Sequence, residues 1–250
     1  MNTYQTSEVA RRIGIHPNTV RLYEQLKLIP APARRPNGYR VFTDFHIEQL
    51  RLARMALQVE VLQSGLRKQA IEIVKTSANG RLAEAEHLTA AYIRSLRQER
   101  KNAEDAIGGV REILAGGPDT GIAQTRPLKR KEAADLLHVT VDTLRNWEMN
   151  GLLAVKRKAN GYRVYTASDV RRLNIIRSLR CANYSLSAIL RMLGALTRDP
   201  GADIRQVIDT PKAKDDIITV CDRLLTSLAS AEGNARLMLA QLNRMRQAFK

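Results

Sequence analysis

The stretch NGYRVFT at residues 37–43 occurs again as NGYRVYT at residues 160–166, with six of the seven residues identical. Asn-Gly is a strong signal for a β-hairpin turn, because both residues tolerate positive φ. The alternating residues that follow are typical of a strand. The two hairpins therefore mark equivalent points of two related units within one chain.

The repeat extends to the N-terminal side of both hairpins. Identical residues align at a constant offset of 124: Glu8 with Glu132, Ala10 with Ala134, Thr19 with Thr143, Arg21 with Arg145, Glu24 with Glu148 and Leu28 with Leu152. Before Asn37 the offset falls to 123, because the first copy has one extra residue. We predict two related domains, residues 1–76 and 127–198.

Each unit begins with two short predicted helices. In the first copy, a helix over residues 8–13 ends at Gly14, and a second helix opens at Pro17 or Asn18. Apolar residues at helical spacing give both helices a face that can pack. Two short helices with a tight turn, followed by a hairpin, predict a winged helix-turn-helix, which is a DNA-binding motif.

Composition favours a nucleic-acid partner. The formal net charge is +16, which suits a polyanion, although an inert basic surface is an alternative. Aromatic residues make up only 4% of the chain, too few for a platform that stacks single-stranded bases. We expect double-stranded DNA as the partner, no membrane association, and a cytoplasmic, nucleoid-associated protein.

Neither metal chemistry nor catalysis is indicated by the sequence. Cys181 and Cys221 are forty residues apart, and the four histidines are scattered, so no set of metal ligands is spaced for binding. No phosphate-cradling glycine loop, metalloprotease helix or nucleophile elbow occurs. We expect no cofactor, no metal and no enzymatic activity.

The predicted DNA contacts lie at two places in each copy. The start of the second helix should face base edges in the major groove, and arginine suits guanine or phosphate. Wing residues should hold phosphate oxygens, although a purely structural hairpin is the alternative. From the helices we nominate Asn18, Thr19, Arg21, Asp142, Thr143 and Arg145, and from the wings Arg34, Arg35, Tyr39, Arg40, Lys156, Arg157, Lys158, Tyr162 and Arg163.

The two second helices differ where they should meet bases. Asp142 can accept a hydrogen bond from cytosine N4 and repels phosphate, whereas its counterpart Asn18 carries no charge. We therefore expect the two DNA half-sites to differ in sequence.

Both units resemble one known family. EVA at residues 8–10, TVRLYE at 19–24 and NGYRVF at 37–42 are similar to the winged DNA-binding domain of the mercury-resistance-regulator (MerR) family. The second copy matches through EAA at 132–134, TLRNWE at 143–148, NGYRVY at 160–165 and YSLSAI at 184–189.

The resemblance implies a bacterial transcription regulator, usually a homodimer whose long helices pair antiparallel. Such proteins bend and untwist an overlong promoter so that RNA polymerase, an expected partner, engages both promoter elements. The family's DNA-contacting arginine and aromatic correspond to Arg21 with Tyr23 and to Arg145 with Trp147. Trp147 departs from the usual tyrosine, and a core position is the alternative for both aromatics.

Two long helices complete the predicted fold. We predict helices at residues 81–115 and 211–249, the second with a heptad seam that includes Ile217, Cys221 and Leu224, and a flexible linker at 116–126. The fold class is mainly α, with two winged helix-turn-helix domains whose long helices pair as an antiparallel coiled coil. The chain ends where the heptads end, so we expect no separate ligand-binding domain.

These features favour a fused dimer, in which one chain grips two half-sites, over a homodimer with four winged domains. The favoured function is a sequence-specific transcription regulator. The alternatives are an architectural or recombination accessory protein that bends DNA, and a module whose helices bind other proteins.

Overall fold

The computed structural model describes residues 2–58, 65–115, 126–155, 163–210 and 223–249. This part of the chain is mainly helical, with small sheets, and the predicted fold class is confirmed. The chain divides into two compact units. The first comprises Met1–Gln98 with Ser227–Lys250, and the second comprises Glu99–Thr226.

The elements of the two repeats follow the same order. Those up to the first long helix are β1 (Thr3–Tyr4), α1 (Thr6–Ile13), α2 (Pro17–Gln25), β2 (Ala33–Arg34), β3 (Arg40–Thr43), α3 (Asp44–Leu57), α4 (Leu66–Ala78) and α5 (Leu82–Leu114). Those that follow are β4 (Leu128–Lys129), α6 (Arg130–Leu136), α7 (Val141–Met149), β5 (Val164–Tyr165), α8 (Ala167–Cys181), α9 (Leu186–Arg198), α10 (Ile204–Asp209) and α11 (Leu224–Ala248).

The first helix of each copy starts with the same cap. The backbone N–H of Gln5 donates to the Glu8 carboxylate at 2.7 Å, and that of Lys129 donates to Glu132 at 2.7 Å. Each bond satisfies a donor that the helix start would leave unpaired. In the second copy, Arg126 also binds Glu132, and this hydrogen bond is the main reason that the pKa of Glu132 falls to about 2.

Small antiparallel sheets hold the wing against the helices. In the first unit the strand order is β1-β3-β2, with Tyr4 opposite Phe42 and Arg34 opposite Arg40. Phe42 is fully buried in a core formed with α1, α2 and α3. In the second unit β4 pairs with β5, and Tyr165 occupies the position of Phe42.

Two turn positions in each copy require a left-handed backbone. The turn after the first helix has Gly14 at φ 70° in one copy and His138 at φ 50° in the other. The turn after the second helix has Lys27 at φ 57° and Gly151 at φ 74°. Each copy therefore has glycine at one of the two positions and a residue with a Cβ at the other, where the conformation is unfavourable.

In the first unit, α11 runs antiparallel to the first half of α5. Arg246 lies 2.9 Å from Glu86 and Arg97 lies 2.8 Å from Glu232, so the sequence order of one helix opposes that of the other. The side chains between the helices are buried, and they include Tyr92, Leu96, Leu228, Ala235, Met238 and Leu242. The end of α11 also reaches the first winged domain, where Phe249 packs edge-to-face on Phe45.

In the second unit, the second half of α5 contacts the second copy. The buried Tyr184 hydroxyl donates to the carbonyl of Ala103 at 3.3 Å, and burial raises the pKa of this phenol. Arg205 at the start of α10 pairs with Glu104 at 3.1 Å. Each unit thus combines the winged domain of one repeat with part of the long helix of the other.

Parts of two predictions lie outside the described residues. These are positions 116–125 of the predicted linker, and Ile217 and Cys221 of the predicted heptad seam. Within the described ranges, no helix combines the length and apolar character that a membrane span needs.

Candidate nucleic-acid interface

The second helix of the first copy, α2, presents its start to solvent. His16 caps it by accepting a hydrogen bond from the Asn18 N–H, and Pro17 fills the first turn, where a missing N–H costs nothing. The exposed Arg21 donates to the side-chain oxygen of Asn18 at 3.2 Å, and Thr19 is partly exposed between them. The predicted residues of this helix therefore lie together within its first five residues, and Arg21 is bonded to Asn18.

The equivalent helix of the second copy, α7, has the same arrangement with one charge changed. The Thr140 hydroxyl caps it by accepting from the N–H of Thr143 at 3.0 Å. Asp142 lies 3.3 Å from Arg145, and both side chains are exposed. A carboxylate thus holds Arg145 where a neutral amide holds Arg21, so the second cluster attracts phosphate less strongly.

The two aromatic residues carried over from the family are packed to different degrees. Tyr23 is half-buried against the core of the first winged domain, and burial raises the pKa of its hydroxyl. Trp147 is only 4% exposed. This burial favours the core alternative for Trp147, and a contact of its indole N–H with DNA stays a prediction.

The wing of the first copy is an exposed hairpin. Tyr39 at its tip is 66% exposed, Arg35 is exposed, and Arg34 is about half exposed while it donates to the Gly38 carbonyl at 3.4 Å. These side chains are accessible to a phosphate backbone.

The turn of the first hairpin has one left-handed residue. Only Gly38 has positive φ, at 81°, and Asn37 does not. The N–H of Gly38 donates to the Arg35 carbonyl at 2.8 Å, so the β-turn covers residues 35–38. Pro36 holds φ near −65°, which suits the second position of this turn and leaves Gly38 as the left-handed residue.

The wing arginines that follow the repeated turns have internal partners. Arg40 Nε lies 2.6 Å from Glu24, and Arg163 Nε lies 2.8 Å from Glu148. Both carboxylates are largely buried and lie on the second helix of their motif. Arg40 and Arg163 therefore tie the wing to that helix, and any contact they make with DNA would come from the remaining guanidinium nitrogens.

Glu24 and Glu148 were missed as positioning residues. In the second copy, Arg130 also donates to Glu148 at 2.8 Å, and the Tyr165 hydroxyl donates to the same carboxylate. The available signal was that an acidic residue recurs at the same position in both copies of a basic motif. The remaining predicted wing residues lie outside the described residues: Lys156, Arg157, Lys158 and Tyr162.

A search of the described residues finds no group of three or more histidine, cysteine or acidic side chains that could hold a metal ion. Cys181, which is exposed, is the free cysteine among them.

Each winged motif matches a family model. The model described as MerR family regulatory protein matches residues 5–42, and the one described as MerR HTH family regulatory protein matches residues 128–196. No solved structure matches the chain.

Several curated regulators are similar to part of the chain. The HTH-type transcriptional regulator CueR of Yersinia pestis is 47% identical over 53 residues, which are 21% of this chain and 38% of that regulator. A probable heavy metal-dependent transcriptional regulator of Haemophilus influenzae is 38% identical over 77 residues, 30% of this chain and 59% of that protein. The mercuric resistance operon regulatory protein of Bacillus cereus is 36% identical over 47 residues, 19% of this chain and 36% of that protein.

The chain thus spans less than two thirds of the length of these relatives. The helix-turn-helix matched by the family models occurs once before and once after α5 in the sequence. Within this chain, both copies have the same helix cap and the same Glu–Arg pair. The chain therefore carries two helix-turn-helix units, each of which matches a MerR-family model.

Proposed function

We propose that this protein is a non-enzymatic, sequence-specific regulator of transcription that binds double-stranded DNA in the bacterial cytoplasm. One chain acts as a pseudo-dimer, its two winged domains grip two half-sites, and the bound promoter is distorted. RNA polymerase is the partner that then engages the distorted promoter.

The observation that carries DNA binding is the pair of equivalent arginines. Arg21 and Arg145 are both exposed at the fifth residue of their helices, and each is oriented by a residue three positions earlier. A guanidinium held in this way has lost part of its conformational freedom before it meets a base edge or a phosphate. The chain's net charge of +16 supports the same conclusion.

The exchange of long helices supports the pseudo-dimer. Helix α11 belongs to the second repeat yet packs in the first unit, and the second half of α5 belongs to the first repeat yet packs in the second unit. A dimer of single-domain chains would make these contacts between subunits. Here they are made within one chain, which supports a single chain as the DNA-binding unit.

The distortion of promoter DNA is proposed from the match to the family and from the two-headed arrangement. A protein that grips two half-sites can set their spacing and relative rotation, and thereby the shape of the DNA between them. The difference between Asn18 and Asp142 further supports half-sites of different sequence.

The test combines genome-wide footprinting with the mass of the protein in solution. We expect asymmetric sites inside promoter spacers, bound by a species of 28.1 kDa. Sites away from promoters would favour the architectural alternative, and a mass of twice that value would contradict the pseudo-dimer.

Substitutions then test the contacts. Arg21→Ala and Arg145→Ala should each weaken operator binding by about 1–3 kcal/mol if the arginine reads a base. If the arginine contacts phosphate, each substitution should lower the salt slope, which is the slope of log K against log salt concentration, by about one. Arg81→Ala is the control, because this exposed arginine pairs with Glu84 next to the start of α5, outside the helix-turn-helix. Unchanged affinity and unchanged slope in both variants would remove the proposed interface.

A further inference from the structure

A cavity of about 580 Å³ opens in the first unit where α1, α2, α3 and α11 meet. Four arginine side chains line it, and we call it the arginine cavity. They are Arg12, Arg51, Arg54 and Arg244. Tyr23 and Gln241 add a hydroxyl and an amide to the lining. Three of the arginines belong to the first repeat, and Arg244 lies on the C-terminal helix.

The positive charge of the arginine cavity is poorly compensated. None of the described residues that line it is acidic. The carboxylate of Glu48, just outside the lining, pairs with Arg51 at 2.5 Å and accepts a hydrogen bond from Gln241. The other three arginines have neutral partners. Arg54 donates to the carbonyl of Ile13, Arg244 donates to Gln241 at 2.6 Å, and Arg12 lies 4.4 Å above the Tyr4 ring.

Tyr23 connects the cavity with the proposed recognition helix. Its hydroxyl has no hydrogen-bond partner among the described residues, and the nearby Arg54 opposes the rise of its pKa that burial causes. A neutral phenol with an unused O–H, beside guanidinium groups, is a donor set suited to a phosphate oxygen.

The second unit has a cavity at the corresponding place, but it lacks this charge. That cavity, of about 530 Å³, is lined by Trp147, Arg177, Arg180 and the carboxylate of Asp142 among others. Trp147 replaces Tyr23, so the phenolic donor is missing, and no residue of a long helix lines it. Of these two cavities, the one in the first copy is therefore the more basic.

We propose that the arginine cavity binds a phosphate group, with Arg244 and the Tyr23 hydroxyl among its donors. The phosphate comes either from the backbone of bound DNA or from a small phosphorylated molecule, and the same chemistry recognises both. The DNA source rests on the proposed function, whereas the small-molecule source does not. In either case the C-terminal helix becomes part of a site that shares a residue with the recognition helix.

The test compares Arg244→Gln with Arg236→Gln. Both remove one positive charge from α11, but Arg236 pairs with Glu232 about 12 Å further along the helix and does not line the cavity. Arg244→Lys keeps the charge. Because Arg244 is exposed on its helix, all three variants should fold.

For the DNA source, the affinity of each variant for a mixed-sequence duplex is measured across salt concentrations. Loss of one phosphate contact should lower the salt slope by about one in Arg244→Gln, and leave it unchanged in Arg236→Gln and Arg244→Lys. For the small-molecule source, inorganic pyrophosphate is added to DNA-free protein at constant ionic strength. Binding of one equivalent should raise Tm by about 2–4 °C in the wild type and not in Arg244→Gln.

A positive result in either arm supports the proposal and identifies the source of the phosphate. If Arg244→Gln and Arg236→Gln behave alike in both arms, the proposal is wrong. A wild type that binds no DNA would instead overturn the proposed function, and the pyrophosphate arm would still decide whether the cavity binds phosphate.

Discussion

Arg40 Nε lies 2.6 Å from Oε2 of Glu24, which joins strand β3 of the first wing to helix α2 of the same motif. The second copy repeats this relationship between Arg163 and Glu148. Each pair ties a wing residue to the proposed recognition helix of the same motif, so the position of that residue depends on a carboxylate.

Replacing Glu24 distinguishes a role in positioning the wing from an effect of net charge on DNA binding. Removal of a negative charge by Glu24→Gln should strengthen DNA binding if net charge alone matters. Because the change weakens the Arg40 hydrogen bond that positions the wing, we expect DNA affinity to fall instead, by about 1 kcal/mol. Glu84→Gln is the control, since it removes the same charge at an exposed position beside Arg81. A gain in affinity in both variants would contradict a positioning role.

The charge of Asp142 should set the preference of the second half-site. Asp142→Asn gives the second copy the residue that the first copy has at Asn18, and it removes repulsion of phosphate. We expect tighter binding to nonspecific DNA, by at most about 1 kcal/mol because the carboxylate is largely exposed. We also expect loss of about 1–3 kcal/mol of base discrimination in one half-site only. Footprints on operators with exchanged half-sites measure both effects.

The packing of α11 should contribute to the stability of the first unit. Leu242 is fully buried, so Leu242→Ala should lower the free energy of unfolding by about 2–5 kcal/mol. Leu237 lies on the same helix but is 57% exposed, and Leu237→Ala should cost far less. Urea unfolding of both variants gives the comparison. Equal losses would mean that α11 is not packed as described.

The shared left-handed positions predict a gain in stability. Lys27→Gly and His138→Gly each place a glycine where the other copy already has one, at Gly151 and Gly14. Relief of the unfavourable backbone conformation should exceed the entropy that glycine adds to the unfolded chain, for a net gain of up to about 1 kcal/mol per site. The reverse changes, Gly151→Lys and Gly14→His, should be destabilising. Thermal unfolding of the four variants checks the sign.

His46 should make the first unit sensitive to mild acid. Burial disfavours the charged imidazole and lowers the pKa of His46 below its ordinary 6.5. The unfolded chain therefore takes up the proton more readily than the folded one, so stability is fully present above pH 6.5 and is lost as pH falls below it. His46→Asn keeps an acceptor for the Thr43 N–H, which now donates to the ring at 3.1 Å. This variant should unfold at the same urea concentration at about pH 7.5 and about pH 5.5, unlike the wild type.

Local features of the fold were predictable because they depend on neighbours in sequence. The helix stop at Gly14, the helix start at Pro17 and the first hairpin follow from backbone preferences of single residues. At the first hairpin the Asn-Gly pair predicted the turn, and the structure shows that Gly38 is its left-handed residue.

The contacts of charged side chains were not predictable in the same way. Arg40 and Arg21 are both arginines in a DNA-binding motif, but only Arg40 has a buried carboxylate within reach. Which arginine has an internal partner depends on the distance between the wing and the helix, and no sequence spacing reports that distance.

The sequence by itself determined that two MerR-like units exist in one chain. Repeated residues, helix caps and turns depend on neighbours in sequence, and they can therefore be recognised without the tertiary structure. Only the tertiary structure decided that each long helix packs with the winged domain of the other repeat, and that Arg244 meets Arg12 and Arg54 at one cavity. Residues far apart in the chain come together through the burial of apolar faces, which fixes helix partners without leaving a local signal.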